Sequence, residues 1–282
     1  MRASESAPSG SGLGVQVSVA DVPVFILCGG LGTRFKEMTE FRPKPMIPLG
    51  RDPILFHIMQ TYARHGFRRF VLCMGYRSDV IRDYFLNFYA RNADVTVGLA
   101  NNAVTVHSVD HTCDWEVTLA FTGELTMTGG RVARAAARYL AGAEHFAVTY
   151  GDGLTDADLA FEFAEHVKNG RIGTVLAVNP PSRFGEFRME SDQVVEFVEK
   201  PELESAWING GYFFFRREML RYLSEEESCI LERAPLSQLA ADRQLSVFRH
   251  PGFWACMDTQ RDHEELTRLW ETGKAPWTGV QA

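Results

Sequence analysis

An arginine and a lysine beside a glycine-rich stretch give this chain the means to hold a polyphosphate. The stretch reads Gly29-Gly30-Leu31-Gly32-Thr33-Arg34, and Arg42-Pro43-Lys44-Pro45 follows a short polar segment later. Glycines let backbone N–H groups approach phosphate oxygens closely. Arg34 can grip two oxygens at once, and Lys44 adds a point charge. The apolar run Phe25-Ile26-Leu27-Cys28 before them reads as a buried strand whose carboxyl end opens into a site. Two familiar phosphate motifs are excluded. No Gly-Lys-Ser/Thr closes the loop, and Phe35 stands where a dinucleotide fold needs its third glycine.

Other residues with chemical potential are weaker in isolation. Gly151-Asp152-Gly153 follows the apolar run Phe146 to Tyr150, so Asp152 either points into a cleft or belongs to a plain Asp-Gly turn. If that strand neighbours the phosphate loop, the carboxylate is placed to hold Mg2+, which favours one or two carboxylates plus phosphate oxygens. Thr126-Met127-Thr128-Gly129-Gly130-Arg131 is a second glycine-rich turn leading into a helix through Tyr139. Arg131 at a helix start opposes the helix dipole, so a nearby anion would account for it. His107, Asp110, His111 and Cys113 crowd together without standard zinc spacing, and a polar turn explains them. His57 and His65 read as packing or surface residues.

Gly-Gly-x-Gly-Thr-Arg followed by Pro-Lys-Pro resembles the signature of the sugar-1-phosphate nucleotidyltransferases, and later landmarks extend the resemblance over almost the whole chain after Pro23. The cytidylyltransferase branch is the most similar. The resemblance implies cytidylyl transfer from CTP to glucose 1-phosphate or a related sugar 1-phosphate, with release of pyrophosphate. It implies that Leu27, Cys28, Gly29, Gly30, Leu31, Gly32, Thr33, Thr126, Arg131 and Gly151 line the nucleotide pocket. Arg34, Lys44 and Lys200 become the catalytic cations, Lys200 meeting the sugar phosphate. Gly185, Glu199 and Asn209 face the sugar. Asp258, otherwise an ordinary helix N-cap, joins Asp152 as a Mg2+ ligand. The chain departs from the family at Ala234-Pro235-Leu236, where Glu-Pro-Leu is usual, which bears on sugar choice or subunit contact. Symmetric oligomers, with the segment from Asp94 to Arg131 near a neighbour, are also implied.

Rival functions remain at this stage. Sister enzymes using dTTP, UTP or GTP share every phosphate contact. A glycosyltransferase needs an Asp-x-Asp pair, for which Asp156-Ala157-Asp158 is a candidate. A non-catalytic sugar-nucleotide sensor would need damaged phosphate or metal positions, and none is seen.

The elements that must position these residues alternate. Apolar runs over 25–28, 70–74, 146–150, 173–178 and 212–215 read as buried strands, and helical spacing marks 53–66, 80–88, 131–139, 158–167, 218–223 and 261–270. Strand-helix alternation implies an α/β, doubly wound, Rossmann-like sheet, which the resemblance makes the mixed sheet of nucleotide-diphospho-sugar transferases. Short runs between Asp94 and Leu119 read as an antiparallel excursion. Residues 1–20, rich in Ser, Gly and Ala, read as a flexible tail without signal-peptide character, and 21–282 as a single domain.

Composition sets further bounds. A net charge of −7 argues against a nucleic-acid binder, so local cations serve small anions. Five scattered cysteines without a Cys-x-x-Cys pair indicate neither zinc nor disulfides and fit the cytoplasm. No apolar run has the ~20 residues needed to span a bilayer, so no membrane partner is expected.

Overall fold

The computed structural model describes residues 18–30, 32, 35–109, 113–180, 186–198 and 207–279. Seven strands form the central sheet: β1 (Pro23–Leu27), β2 (Arg69–Met74), β3 (Glu116–Phe121), β4 (His145–Tyr150), β5 (Gly173–Val178), β6 (Ile208–Arg216) and β7 (Leu245–His250). Their spatial order is β7-β5-β6-β4-β1-β2-β3. All neighbouring pairs are parallel except the two made by β6, which runs antiparallel to both β4 and β5. The sheet is therefore mixed, as expected.

Continuous apolar runs arise because both faces of the sheet are covered. Side chains alternate between the faces. Val24, Ile26, Phe70, Leu72 and Phe214 enter one core cluster; Phe25, Val71, Val148, Phe213 and Phe215 enter the other. The first face is covered by helices α1 (Ile54–Arg64), α2 (Ser78–Leu86), α4 (Leu159–Asn169) and α6 (Gln260–Glu271), and the second by α3 (Thr128–Tyr139) and α5 (Ala234–Ala241). Helix α4 starts at the N-cap Asp158, whose side chain accepts from Phe161 N, and ends at Gly170 with a left-handed φ of 66°.

Three expectations are corrected. Of the runs between Asp94 and Leu119, only Ala93–Gly98 and Ala103–Val109 form a hairpin; the third is β3, parallel to β2. Alternation marks a strand but not its partner, which is why the sequence could not separate them. The helix marked over 80–88 breaks at Asn87 and resumes at Phe88–Asn92, and residues 217–222 form a 3-10 helix. Residues 1–17, most of the expected tail, lie outside the described part, and next to them Val19–Asp21 make a 3-10 turn with Val19 packed on the core.

The face under α4 holds a polar inclusion. His145 Nδ1 and His166 Nε2 lie 3.2 Å apart, and His166 Nδ1 lies 3.0 Å from the Thr174 hydroxyl. Burial, then the neighbouring His145 and Arg216, hold His166 down at about 3. Glu162, on the same helix, is fully buried and is pushed up, so it titrates in the opposite sense. Unfolding exposes His166, which then takes a proton below its ordinary value of about 6.5. Between that value and about 3 the unfolded state binds more protons, so the histidine's contribution to stability falls as pH falls. Comparison of the chain with His166→Gln cancels the effect of Glu162. We expect the stability gap between the two in urea titrations at pH 7, 6 and 5 to shrink by up to ~1.4 kcal/mol per pH unit below 6.5. A gap independent of pH would refute this account.

Candidate active site

A cleft of about 550 Å³ opens at the carboxyl ends of β1 and β4, whose last residues, Leu27 and Tyr150, are register partners. Sequence proximity puts none of its parts together. Pro43 and Pro45 fix a 3-10 turn over Lys44–Met46. That turn rests against Gly151, where an added Cβ would lie 2.7 Å from Pro45 and 2.8 Å from the Leu27 carbonyl. Only glycine allows this approach, and it brings Lys44 to Asp152. A short antiparallel ladder, Gly153–Thr155 against Trp254–Cys256, then fixes Asp258 opposite. Met257 N donates to the Asp152 carbonyl at 2.8 Å.

Lys44 Nζ lies 2.6 Å from Asp152 Oδ2 and 2.5 Å from Asp258 Oδ1. Burial alone would lower the lysine's pKa, but the charge of Asp152 and the hydrogen bonds the ammonium donates to both carboxylates outweigh it and keep the ammonium charged. Asp258 does not cap α6, as its position had allowed. Thr259 caps that helix in a reciprocal arrangement with Asp262, and Asp262 Oδ2 also accepts from Asp258 N. The carboxylate of Asp258 thus faces the cleft. Ligand atoms of Asp152, Cys256 and Asp258 lie within 4.8 Å of one another, the one such group among the described residues. Burial, then Asp152, push the Cys256 thiol up, so it stays protonated. Two hard carboxylates around a point already holding an ammonium fit a hard divalent cation such as Mg2+.

Gly29, Gly30 and Gly32 line the opposite wall. At Gly30 a Cβ would meet nothing within 4 Å, so glycine keeps space open there. At Gly29 it would lie 2.2 Å from Arg131 Cζ, so that glycine exists to admit the guanidinium. Arg131 also has partners within the chain that the sequence reading did not foresee. Its buried guanidinium makes five hydrogen bonds, to the carbonyls of Gly29, Met74, Gly123 and Glu124 and to the Thr122 hydroxyl. Loop carbonyls offset its charge, and it also lines the cleft. Gly129 and Gly130 serve packing too. A Cβ at Gly129 would strike Cys229 and Leu231, and one at Gly130 the Glu226 carbonyl. The carbonyls of Glu227 and Cys229 accept from Met127 N and Gly130 N, so chain backbone fills the start of α3.

Leu27, Gly29, Gly30, Gly32, Lys44, Thr126, Arg131, Gly151, Asp152, Asn209 and Asp258 come together around the cleft. Cys28 does not. Strand alternation turns its thiol into the core beside Ile26, whose carbonyl it faces at 3.3 Å. Leu31, Thr33, Arg34, Gly185, Glu199 and Lys200 lie outside the described residues. The sequence missed Tyr150, Thr128 and Glu232, which also line the cleft. Glu232 stands in Leu231-Glu232-Arg233, where no spacing or flanking residue marks it. Ala234, the position that had drawn notice, is exposed and opens α5.

Asp156 and Asp158 are both occupied elsewhere. Asp156 accepts from His250 Nε2 and Phe253 N, each at 2.7 Å, and Asp158 caps α4 and pairs with His65 at 3.2 Å. Neither lines the cleft, which removes the Asp-x-Asp basis for a glycosyltransferase. His107 lies 2.7 Å from the Thr96 hydroxyl across the hairpin, while Asp110 and His111 are outside the described residues.

Residues 24–255 match the model of the nucleotidyl transferase family. The chain is 44% identical over 252 residues to a glucose-1-phosphate cytidylyltransferase of Salmonella typhi, covering 89% of this chain and 97% of that one. A glucose-1-phosphate cytidylyltransferase of Salmonella typhimurium matches at the same identity and coverage. Among solved structures, HddC from Yersinia pseudotuberculosis superposes with a TM-score of 0.60 at 21% identity, over 88% of this chain and 99% of that one, a likeness of fold.

The arrangement around Arg131 yields a test of its role. Lysine keeps the charge but lacks the planar fork, so Arg131→Lys leaves several buried carbonyls without donors. We expect it to lower unfolding free energy by about 2–4 kcal/mol in urea titration. Unchanged stability with a raised KM for the nucleotide would show that an anion, not the loop, is its partner.

Proposed function

The chain belongs to the nucleotidyl transferase family and is an enzyme, and we propose that it transfers a cytidylyl group from CTP to glucose 1-phosphate, forming CDP-glucose and pyrophosphate. The observation that carries this reading is the Lys44 ammonium held between Asp152 and Asp258 on the floor of a cleft walled by a glycine loop. The names and 44% identity of the Salmonella relatives support the choice of CTP and glucose 1-phosphate.

In this reading an oxygen of the sugar phosphate attacks the α-phosphorus of CTP as the bond to pyrophosphate breaks. That phosphate, with a second pKa of ~6, is already anionic near neutral pH, so no side chain has to remove a proton. The chain's task is alignment and charge neutralisation. Asp152 and Asp258 would hold Mg2+, which when bound neutralises charge on the α-phosphate. Lys44 and Arg34 bind the triphosphate and the departing pyrophosphate. Lys200 orients the attacking phosphate, and Gly185, Glu199 and Asn209 meet the sugar; these sugar-side roles rest on the resemblance of the motifs, and Asn209 also lines the cleft. Leu27, Gly29 to Thr33, Thr126 and Gly151 surround the nucleotide.

We further propose that residues from 21 onward act as one domain, that the protein works in the cytoplasm, and that it forms a homo-oligomer. Five free cysteines fit a reducing compartment. No helix among the described residues is long and apolar enough to cross a membrane. The hairpin over 93–109 exposes Val95, Val97, Leu99, Val104 and Val106, a surface suited to a neighbouring subunit.

Two outcomes are expected. Incubated with Mg2+, glucose 1-phosphate and each of CTP, UTP, dTTP and GTP, the enzyme should release pyrophosphate with kcat/KM for CTP at least about tenfold above the others, the scale of one unpaired buried polar group. Preference for another nucleotide would move it to a sister activity. Separately, Lys44→Met removes the cation that competes for the two carboxylates. Binding of Mn2+ without substrates, followed by electron paramagnetic resonance, should tighten by about tenfold or more, while Asp152→Asn should abolish it. Equal Mn2+ affinity in all three proteins would sink the metal assignment.

A further inference from the structure

Three carboxylates line the cleft, and one has a different electrostatic setting. Asp152 and Asp258 share Lys44. Glu232 has no cation among its partners in the described residues. Its Oε2 accepts from the Thr128 hydroxyl at 2.7 Å and its Oε1 from the Tyr150 hydroxyl at 2.5 Å. A negative charge in a cleft that takes a triphosphate and a sugar phosphate repels both. With a divalent cation held by Asp152 and Asp258, as in the proposed function, the phosphates would stay toward Lys44 and that ion, and an uncharged part of a substrate would come to Glu232.

The network around Glu232 fixes which side of it meets a ligand. The Thr128 hydroxyl accepts from Leu231 N at 2.9 Å and donates to Glu232. The Tyr150 hydroxyl accepts from Asn209 Nδ2 at 3.3 Å and donates to Glu232. Both hydroxyl donors are committed, whereas each carboxylate oxygen keeps a lone-pair site. What Glu232 offers a ligand is acceptance only, so it selects groups that donate.

Position on the sheet separates nucleoside from sugar. Thr128 opens α3, which is tied to the glycine loop through Arg131 and Gly29 on the β1-β2-β3 half. Tyr150 ends β4 in register with Leu27. Asn209, the sugar-side residue, lies one strand further out on β6 and reaches Glu232 only through the Tyr150 hydroxyl. We propose that Glu232 is a specificity-determining residue that accepts hydrogen bonds from donor groups of the nucleoside, the ribose hydroxyls or the exocyclic amine of cytosine. The inference rests on the reading of the enzyme as a cytidylyltransferase.

Glu232→Gln keeps the shape, removes the charge and exchanges an acceptor for a donor; Glu232→Asp retracts the carboxylate by one methylene. Both replace an exposed side chain, so folding, checked by urea titration, should persist. Steady-state kinetics with CTP, 2′-deoxy-CTP, 3′-deoxy-CTP and UTP at saturating glucose 1-phosphate give the readout. The expected result is at least a fivefold loss of preference for CTP, over the deoxy nucleotides if ribose is the donor or over UTP if the amine is. The KM for glucose 1-phosphate should stay within twofold. Equal losses with all four nucleotides, or a raised glucose 1-phosphate KM with nucleotide preference intact, would overturn the proposal. Should the unmodified enzyme favour a different triphosphate, the cytidylyl reading fails on its own. The same comparison with that nucleotide and its deoxy forms then tests Glu232 independently.

Discussion

The clamp of Lys44 between Asp152 and Asp258 is the contact that the surrounding structure is arranged to make. Its three members come from a turn after β1, the end of β4 and the ladder before α6, separated by 108 and 214 residues from the lysine. Each is brought in by a backbone constraint. Flanking prolines set the lysine turn, the missing Cβ of Gly151 lets that turn close on β4, and pairing of Gly153 with Cys256 sets the spacing of the aspartates. Three charges this close in a half-buried site are tolerable only together. Loss of one exposes the others to the desolvation cost that the cluster offsets.

The same logic accounts for the rest of the charge distribution. A chain with net charge −7 has to gather its cations where anions bind. Yet the cation that looked most available, Arg131, is turned inward onto loop carbonyls, where its fork binds the segments after β1, β2 and β3 together. The wall beside the glycine loop is thus rigidified by a buried arginine. Lys44 remains the cleft-lining lysine among the described residues. With the divalent cation of the proposed function bound at the clamp, charge would be polarised along the cleft, positive there and negative at Glu232 near the start of α3. A ligand with phosphates at one end and neutral donors at the other matches that polarity.

Much of the architecture was legible because its causes are local. Strands buried on both faces must be apolar throughout, so β1, β4 and β5 stood out as runs, and Gly173–Val178 appeared at the bounds the structure gives. Helix ends were marked by residues that act within one turn, as with Asp158 and Gly170 around α4. Where the decision depended on a partner, the sequence was silent. Glu116–Phe121 had the same alternation as the hairpin strands, and only a vacant edge on β2 made it the seventh strand. The helix break at Asn87 likewise lies where the aromatic rings of Phe56, Tyr84 and Phe88 pack against one another.

The amino-acid sequence by itself determined the kind of fold, the family and the residue types of the cleft, because glycine conformations, proline-fixed turns and apolar periodicity act over a few residues. Through the resemblance of its motifs it also named Lys44, Asp152 and Asp258 as members of one site. Only the tertiary structure decided which charges remain directed at the cleft. Arg131 and Lys44 are both cations near glycine turns, but packing supplies one with carbonyls and the other with carboxylates. Asp156, Asp158 and Glu232 are all acidic residues in ordinary surroundings, but folding ties the first two to His250, His65 and a helix cap and leaves the third in the cleft wall. A side chain's chemistry is set by its type, and its availability by partners far away in the sequence that become neighbours only when the chain closes.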